Sequence, residues 1–301
     1  MSVKDQIKKL KDEEEVVIVA HNYQKGNIQD IADFVGDSFG LAQKVNELDV
    51  ANIVFCGVDF MAESAAILNP EKKIILPDLT AGCPMAEMVD LDEVRGYKEK
   101  NPEAAVVSYV NTNAETKAES DICCTSSNAL KIVKSLNNEK VLFLPDKNLG
   151  DYVKRFVQDK DLDVWEGYCA THDNILPEDM RESIKKHPEA EVVVHPECRP
   201  EVIDMAEYVE STAGILERAR KTRTDKMIVG TEKEMEYRLK KEIPNKEYFF
   251  PGDPTCTNMK KITLEKVLES IKTKRPQVVV DKKIAERALK PLKRMVEIGR
   301  G

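Results

Sequence analysis

Three cysteines recur at nearly equal intervals: Cys83 in "LPDLTAGCPMA", Cys169 in "LDVWEGYCATH" and Cys256 in "FFPGDPTC". Their spacings are 169 − 83 = 86 and 256 − 169 = 87 residues. Thiolates are soft ligands that select zinc or iron–sulfur groups. The chain has seven cysteines, at 56, 83, 123, 124, 169, 198 and 256, an odd number in a chain too large to need disulfide staples. None forms Cys-x-x-Cys, so any metal ligands must come from far apart. Three thiolates leave one tetrahedral position open. A zinc ion could close it with His172, three residues after Cys169, or a [4Fe–4S] cluster could keep one iron without a protein ligand. A structural zinc usually takes closely spaced ligand pairs, which are missing here.

Polar chemistry recurs in the same phase. The runs "VVIVAHNYQ", "AAVVSYVNT" and "AEVVVHPEC" are apolar, β-branched segments that end in His21, Tyr109 and His195, separated by 109 − 21 = 88 and 195 − 109 = 86 residues. A hydroxyl follows each tip by seventeen residues: Ser38, Ser126 and Thr212. Each opens an apolar-periodic segment, the signature of a helix N-cap. Taken singly, such hydroxyls are most often caps, a lone cysteine is a small buried hydrophobe, and a lone histidine is a hydrogen-bonded core residue. Packing alone has no reason to put all of them at one phase of three divergent segments.

Each third also contains two further short strands, such as "ANIVFCGVDF" and "KKIILPD" in the first. The expected fold is α/β, with three pseudo-symmetric repeats, each a small strand-helix-strand-helix-strand parallel sheet flanked by helices, arranged around a central pocket. The expected units are 1–98, 99–185 and 186–270, with a C-terminal helical tail over 271–301. Ligands of such sheets bind beyond the carboxyl ends of the strands, where the tips, hydroxyls and cysteines all fall. Helix starts at Ser38, Ser126 and Thr212 would offer anion sites there. Cys56, Cys123, Cys124 and Cys198 have no counterparts at the repeat period and read as buried bystanders.

Composition excludes several classes. A third of the 301 residues are charged and the net charge is −8, mixed along helix faces, so no basic stripe marks a nucleic-acid partner. The N-terminus is charged without an apolar core, and no run of about 18 apolar residues offers a membrane span, so a soluble cytoplasmic protein is expected. G-x-G-x-x-G and G-x-x-x-x-G-K-[ST] are absent, and "GDSFG" at 36–40 sits where the hydroxyl series predicts a helix start.

The motifs "AHNYQ", "GDS", "FCGVDFMAES", "LPDLTAGCPMA", "SYVNT", "CTSSNA", "LFLPDKNLG", "HPEC", "ESTAGI", "GTE" and "FPGDPTC" run in order from about residue 16 to 265. In this the chain resembles the quinolinate synthase family, iron–sulfur enzymes of NAD biosynthesis. The resemblance implies three α/β domains that each give one cysteine to a [4Fe–4S] cluster, here Cys83, Cys169 and Cys256. It implies condensation of iminoaspartate with dihydroxyacetone phosphate to quinolinate, with loss of phosphate and water, the open iron acting as a Lewis acid. Substrate-binding positions carried over from the family are His21, Ser38, Tyr109, Val110, Asn111, Ser126, His195, Pro196, Glu197 and Thr212. Glu197, Tyr23, Tyr109 and His195 are the acid–base candidates, Glu197 foremost. The enzyme supplying iminoaspartate is the implied protein partner. Some members carry Cys-x-x-Cys-x-x-Cys near the last ligand; here Thr257, Asn258 and Met259 follow Cys256, so a thiol switch there is not expected. Reductive dehydroxylases, diphthamide-type radical enzymes and a non-catalytic redox sensor share the three-cysteine logic. The other motifs of the two enzyme groups are missing, and a sensor would leave the polar tips without a use.

Overall fold

The computed structural model describes residues 2–299. Its strands are β1 (Val16–His21), β2 (Phe34–Gly36), β3 (Asn52–Cys56), β4 (Lys73–Ile75), β5 (Ala105–Tyr109), β6 (Ile122–Cys124), β7 (Lys140–Leu144), β8 (Asp161–Val164), β9 (Glu191–Val194), β10 (Tyr208–Val209), β11 (Lys226–Gly230) and β12 (Glu247–Phe249). They form three four-stranded sheets of identical order, β2-β1-β3-β4, β6-β5-β7-β8 and β10-β9-β11-β12. Every pairing between these strands is parallel. The expected three-fold repetition is therefore present, but each sheet has one strand more than the three expected. The extra members, β2, β6 and β10, are two or three residues long, too short to carry a period of their own.

Parallel strands are covered on both faces and so read as continuous apolar runs. β5 and β9 are buried at every residue and β1 at all but one. Helices cover the faces in a cyclic way. The helix Leu91–Lys100, which follows Cys83, sets Val94 and Tyr97 against Val106, Leu142 and Leu144 of the second sheet. The helix Pro177–Lys186, which follows Cys169, sets Met180 against Val192, Val194 and Ile228 of the third. After Cys256, the helix Leu264–Thr273 places Val267 and Ile271 in the core of the first sheet, beside the N-terminal helix Val3–Glu13. Each unit thus hands a helix to the next sheet, and the last hands one to the first.

The final helix, Lys282–Gly299, returns to the second unit. Ala288, Leu292 and Met295 are buried in the core that holds Ile122, Cys123, Ile132 and Val133, while Val279 just before the helix is 80% exposed. Leu292→Ala is expected to cost about 2–5 kcal/mol in denaturant unfolding, against less than about 0.5 kcal/mol for Val279→Ala. Equal midpoints and slopes for the two variants would show that this helix does not contribute to the folded core.

Candidate functional site

The carboxyl ends of β1, β5 and β9 open onto one cavity of about 540 Å³. The backbone beyond each strand end places alternate residues on opposite sides. His21 and Tyr23, Tyr109 and Asn111, and His195 and Glu197 line the cavity, together with Cys83, Cys169, Cys256, Ser38, Ser126 and Thr212. The middle residue of each tip is not among the lining residues. Asn22 is buried and donates through Nδ2 to Thr212 Oγ1 at 3.1 Å, Val110 packs into the second core, and Pro196 is buried between its lining neighbours.

The hydroxyls are not helix caps, contrary to expectation. Asp37 caps the helix Ser38–Glu47 by accepting the Gly40 amide at 2.7 Å, and Ser211 caps Thr212–Lys221 by accepting the Gly214 amide at 3.2 Å. Ser38 and Thr212 are the first residues inside their helices, one position past the capping residue. In the second unit the helix begins only at Ala129, and Asn128 closes the preceding turn by accepting the Thr125 amide at 2.7 Å. Capping by a neighbour leaves the hydroxyls of Ser38 and Thr212 facing the cavity.

Each cysteine begins a short helical turn: Ala86–Met88 after Cys83, Ala170–Asp173 after Cys169, and Met259–Lys261 after Cys256. Every thiol is approached by the backbone N–H three residues on, from Ala86, His172 and Met259. These bonds favour thiolate, yet burial wins and raises all three thiols, Cys83 to about 12. The charges of Cys256 on Cys83 and of Cys83 on Cys169 push further in the same direction. Three thiolates in one buried cavity therefore call for a cation, which reverses that balance. Cys56, Cys123, Cys124 and Cys198 are wholly buried and line no part of the cavity.

Glu197 is the cavity's buried anion at the tips. Burial raises its pKa, but His172, His195 and Tyr109 overcome that and hold the carboxyl at about 2. Its Oε2 lies 2.8 Å from His172 Nδ1 and 3.3 Å from His195 Nδ1, and Oε1 accepts from Asn111 Nδ2 at 3.3 Å. Burial acts the other way on His21 and His195, lowering both to about 3, so they are neutral imidazoles at physiological pH. Tyr23 and Tyr109 are pushed well above 10 by burial, then by Glu197, and stay protonated. Asn111 Oδ1 is buried with no partner among the described residues.

Sequence reasoning missed two groups. His172, weighed only as a fourth zinc ligand, sits between the tips: Nε2 is 3.0 Å from Thr231 Oγ1 and 3.3 Å from Tyr23 Oη, while Nδ1 is 3.2 Å from Cys169 Sγ. Cys169, His172 and Glu197 together bring three possible metal-ligating atoms within 4.8 Å of one another. The other group is the acids two or three residues beyond β3, β7 and β11: Asp59, Asp146 and Glu232. Their spacings of 146 − 59 = 87 and 232 − 146 = 86 were visible in the sequence.

A thiol, a hydroxyl and a polar strand tip delivered by each of three α/β units to one shared cavity have the form of an enzyme site for a small molecule. The chain belongs to the quinolinate synthetase A family, whose model matches residues 5–297. It is 49% identical over 299 residues to the quinolinate synthase of Caldicellulosiruptor bescii, covering 99% of this chain and 98% of that one. It is 48% identical over 297 residues to that of Methanoregula boonei, covering 98% of each. With that of Aquifex aeolicus it shares 46% over 299 residues, covering 97% of this chain and 93% of the relative. Membership makes this an enzyme of quinolinate synthesis, a step of NAD biosynthesis. Among the described residues no helix is long and apolar enough to cross a membrane.

The neighbouring hydroxyls Ser211 and Thr212 separate capping from cavity chemistry. Ser211→Ala is expected to lose about 1 kcal/mol of stability with turnover of the folded enzyme kept. Thr212→Ser should keep both, and Thr212→Val should lose turnover out of proportion to its melting point. Wild-type turnover in Thr212→Val would return that hydroxyl to a packing role.

Proposed function

We propose that the chain condenses iminoaspartate with dihydroxyacetone phosphate to quinolinate, losing phosphate and water, with a [4Fe–4S] cluster held by Cys83, Cys169 and Cys256. The observation that carries this is the convergence of those three thiols, one from each sheet, on the cavity lined by the three polar tips. The donor set suits such a cluster: three soft sulfurs, each with an N–H aimed at it. When bound, the cluster supplies a Lewis acid at the iron that lacks a protein thiolate.

The protein's own groups divide the remaining work. The Tyr23 amide donates to His21 Nδ1 at 3.1 Å, which leaves the proton of this neutral ring on Nε2. That proton, with the hydroxyls of Ser38 and Thr212 at their helix starts and of Ser126 in the turn before Ala129, binds the carboxylates of iminoaspartate. The unpartnered Asn111 Oδ1 accepts an N–H or O–H of the substrate. Glu197, ionised and oriented by His172, takes a proton from carbon and returns it to the departing hydroxyl. Tyr23, Tyr109 and His195 serve as neutral donors beside it, and Val110 and Pro196 complete the tips. Iminoaspartate comes from a partner enzyme in the same compartment, and the seven unpaired thiols suit the cytoplasm.

Anaerobic assay of quinolinate formation, with iron and sulfide analysis, tests the proposal. Active protein should be brown with about four iron and four sulfide per chain. Single Ala substitutions of Cys83, Cys169 or Cys256 should abolish the colour, while Cys56→Ala should keep it. An active, colourless, zinc-loaded protein would overturn the cluster assignment.

Glu197→Gln keeps size and a hydrogen-bonding amide but removes the base. It should retain the brown group and lose about 10²–10⁴ in turnover. Near-normal rates with full iron content would move the base elsewhere, Tyr23 being next.

A further inference from the structure

Asp146 and Glu232 occupy the same place in their units, two residues beyond the strands β7 and β11. Each carboxylate reaches across 23 or 24 residues (169 − 146 = 23, 256 − 232 = 24) to the backbone amide of the unit's cysteine. Asp146 Oδ2 accepts the Cys169 N–H at 3.1 Å, and Glu232 Oε1 accepts the Cys256 N–H at 3.1 Å. A backbone bond completes each clasp: Lys147 N–H donates to Gly167 O at 2.7 Å, and Lys233 N–H to Pro254 O at 2.8 Å. Both carbonyls lie two residues before the cysteine. At Gly167 the chains approach so closely that a Cβ would stand 2.6 Å from the Pro145 carbonyl oxygen.

The first unit is slipped by one residue. There the amide of the acid itself, Asp59, donates to Ala81 O at 2.9 Å, two residues before Cys83. Its carboxylate accepts from the Phe60 amide at 2.7 Å and, among the described residues, not from that of Cys83. In the third unit the clasp is tied across to the first: Lys260 Nζ donates to Glu232 Oε1 and to the Tyr23 carbonyl, both at 2.7 Å.

We propose that Asp146 and Glu232 are positioning residues for the iron–sulfur group, fixing the backbone from which the Cys169 and Cys256 sulfurs project, while the Cys83 arm is held without a carboxylate. The proposal rests on the three-cysteine reading above. A residue that bonds a ligand's amide constrains the direction of its side chain without touching the metal, and loss of such a contact typically costs about 10–100-fold in metal retention.

The test measures iron release to a chelator from anaerobic holoprotein, together with melting points of the iron-loaded and chelator-stripped forms. Asp146→Ala and Glu232→Ala should release iron about tenfold or more faster than wild type. Asp146→Asn and Glu232→Gln, which keep an acceptor oxygen, should stay within about threefold, as should Asp59→Asn, by the same reasoning. In the Ala variants the gap between loaded and stripped melting points should shrink, because ligand binding stabilises only the form that holds it well. Asp146 also accepts the Leu149 amide at the start of a helix, so a purely structural loss is a real alternative; it would lower both melting points in parallel. Parallel falls, or wild-type release rates in both Ala variants, would overturn the proposal. Wild-type protein that takes up no iron at all would instead remove the cluster reading, and this inference with it.

Discussion

The direction of the strands is the constraint on which everything else at the cavity depends. Parallel pairing sends the carboxyl ends of all four strands of a sheet to one edge, and the cyclic hand-over of helices turns the three edges toward one another. No strand carries the site alone. Had one sheet been antiparallel, half of its polar ends would have faced the opposite edge. Alternation beyond the strand then sorts each tip, sending its first and third residues to the cavity and its second into the protein.

Those middle and third residues join the units. Asn22 of the first unit donates to Thr212 of the third, Asn111 of the second donates to Glu197 of the third, and Lys260 of the third donates to the Tyr23 carbonyl of the first. Arg238, again from the third unit, donates to Asn22 Oδ1 at 2.8 Å. Buried polar groups left unpaired cost about 1–3 kcal/mol each, so these bonds penalise any arrangement in which the sheets drift apart. The same polar atoms that shape the cavity therefore help fix the relative placement of its three walls.

Much of this was legible in the chain because repetition converts weak signals into a strong one. Cys83, Cys169 and Cys256 each resemble an ordinary buried thiol, and only their common period marks them. The local signature, not the period, misled on Ser38 and Thr212: both line the cavity as their phase implied, but a hydroxyl at a helix start is read as its cap. Asp37 and Ser211, one residue earlier, are equally good caps, and nothing local says which neighbour turns inward. β2, β6 and β10 stayed hidden because two or three residues show no alternation. Asp146 and Glu232 were within reach of the periodic signal. Their role was not, because the slip that separates Asp59 from them is a matter of backbone register that side-chain spacing does not encode.

Symmetry supplies the scaffold, and its breaking supplies the chemistry. The third tip position holds Tyr23, Asn111 and Glu197, a phenol, an amide and a carboxylate at equivalent points around one cavity. A carboxylate in all three would place like charges together and force protonation of some of them. With one, the surrounding groups can satisfy it: His172, Asn111 and Tyr109 turn toward the Glu197 carboxylate, while His195 Nδ1 accepts the Glu197 amide at 3.3 Å. His172 has no histidine counterpart at the repeat period, and it links this anion to Tyr23 and Thr231 through its second nitrogen. The two ring nitrogens thus face different partners, the Glu197 carboxylate and the Cys169 sulfur on one side and two hydroxyls on the other. One imidazole therefore ties the orientation of Glu197 to the hydroxyl pair of Tyr23 and Thr231, which are 2.7 Å from each other, so a shift in any one of the four is felt by the rest.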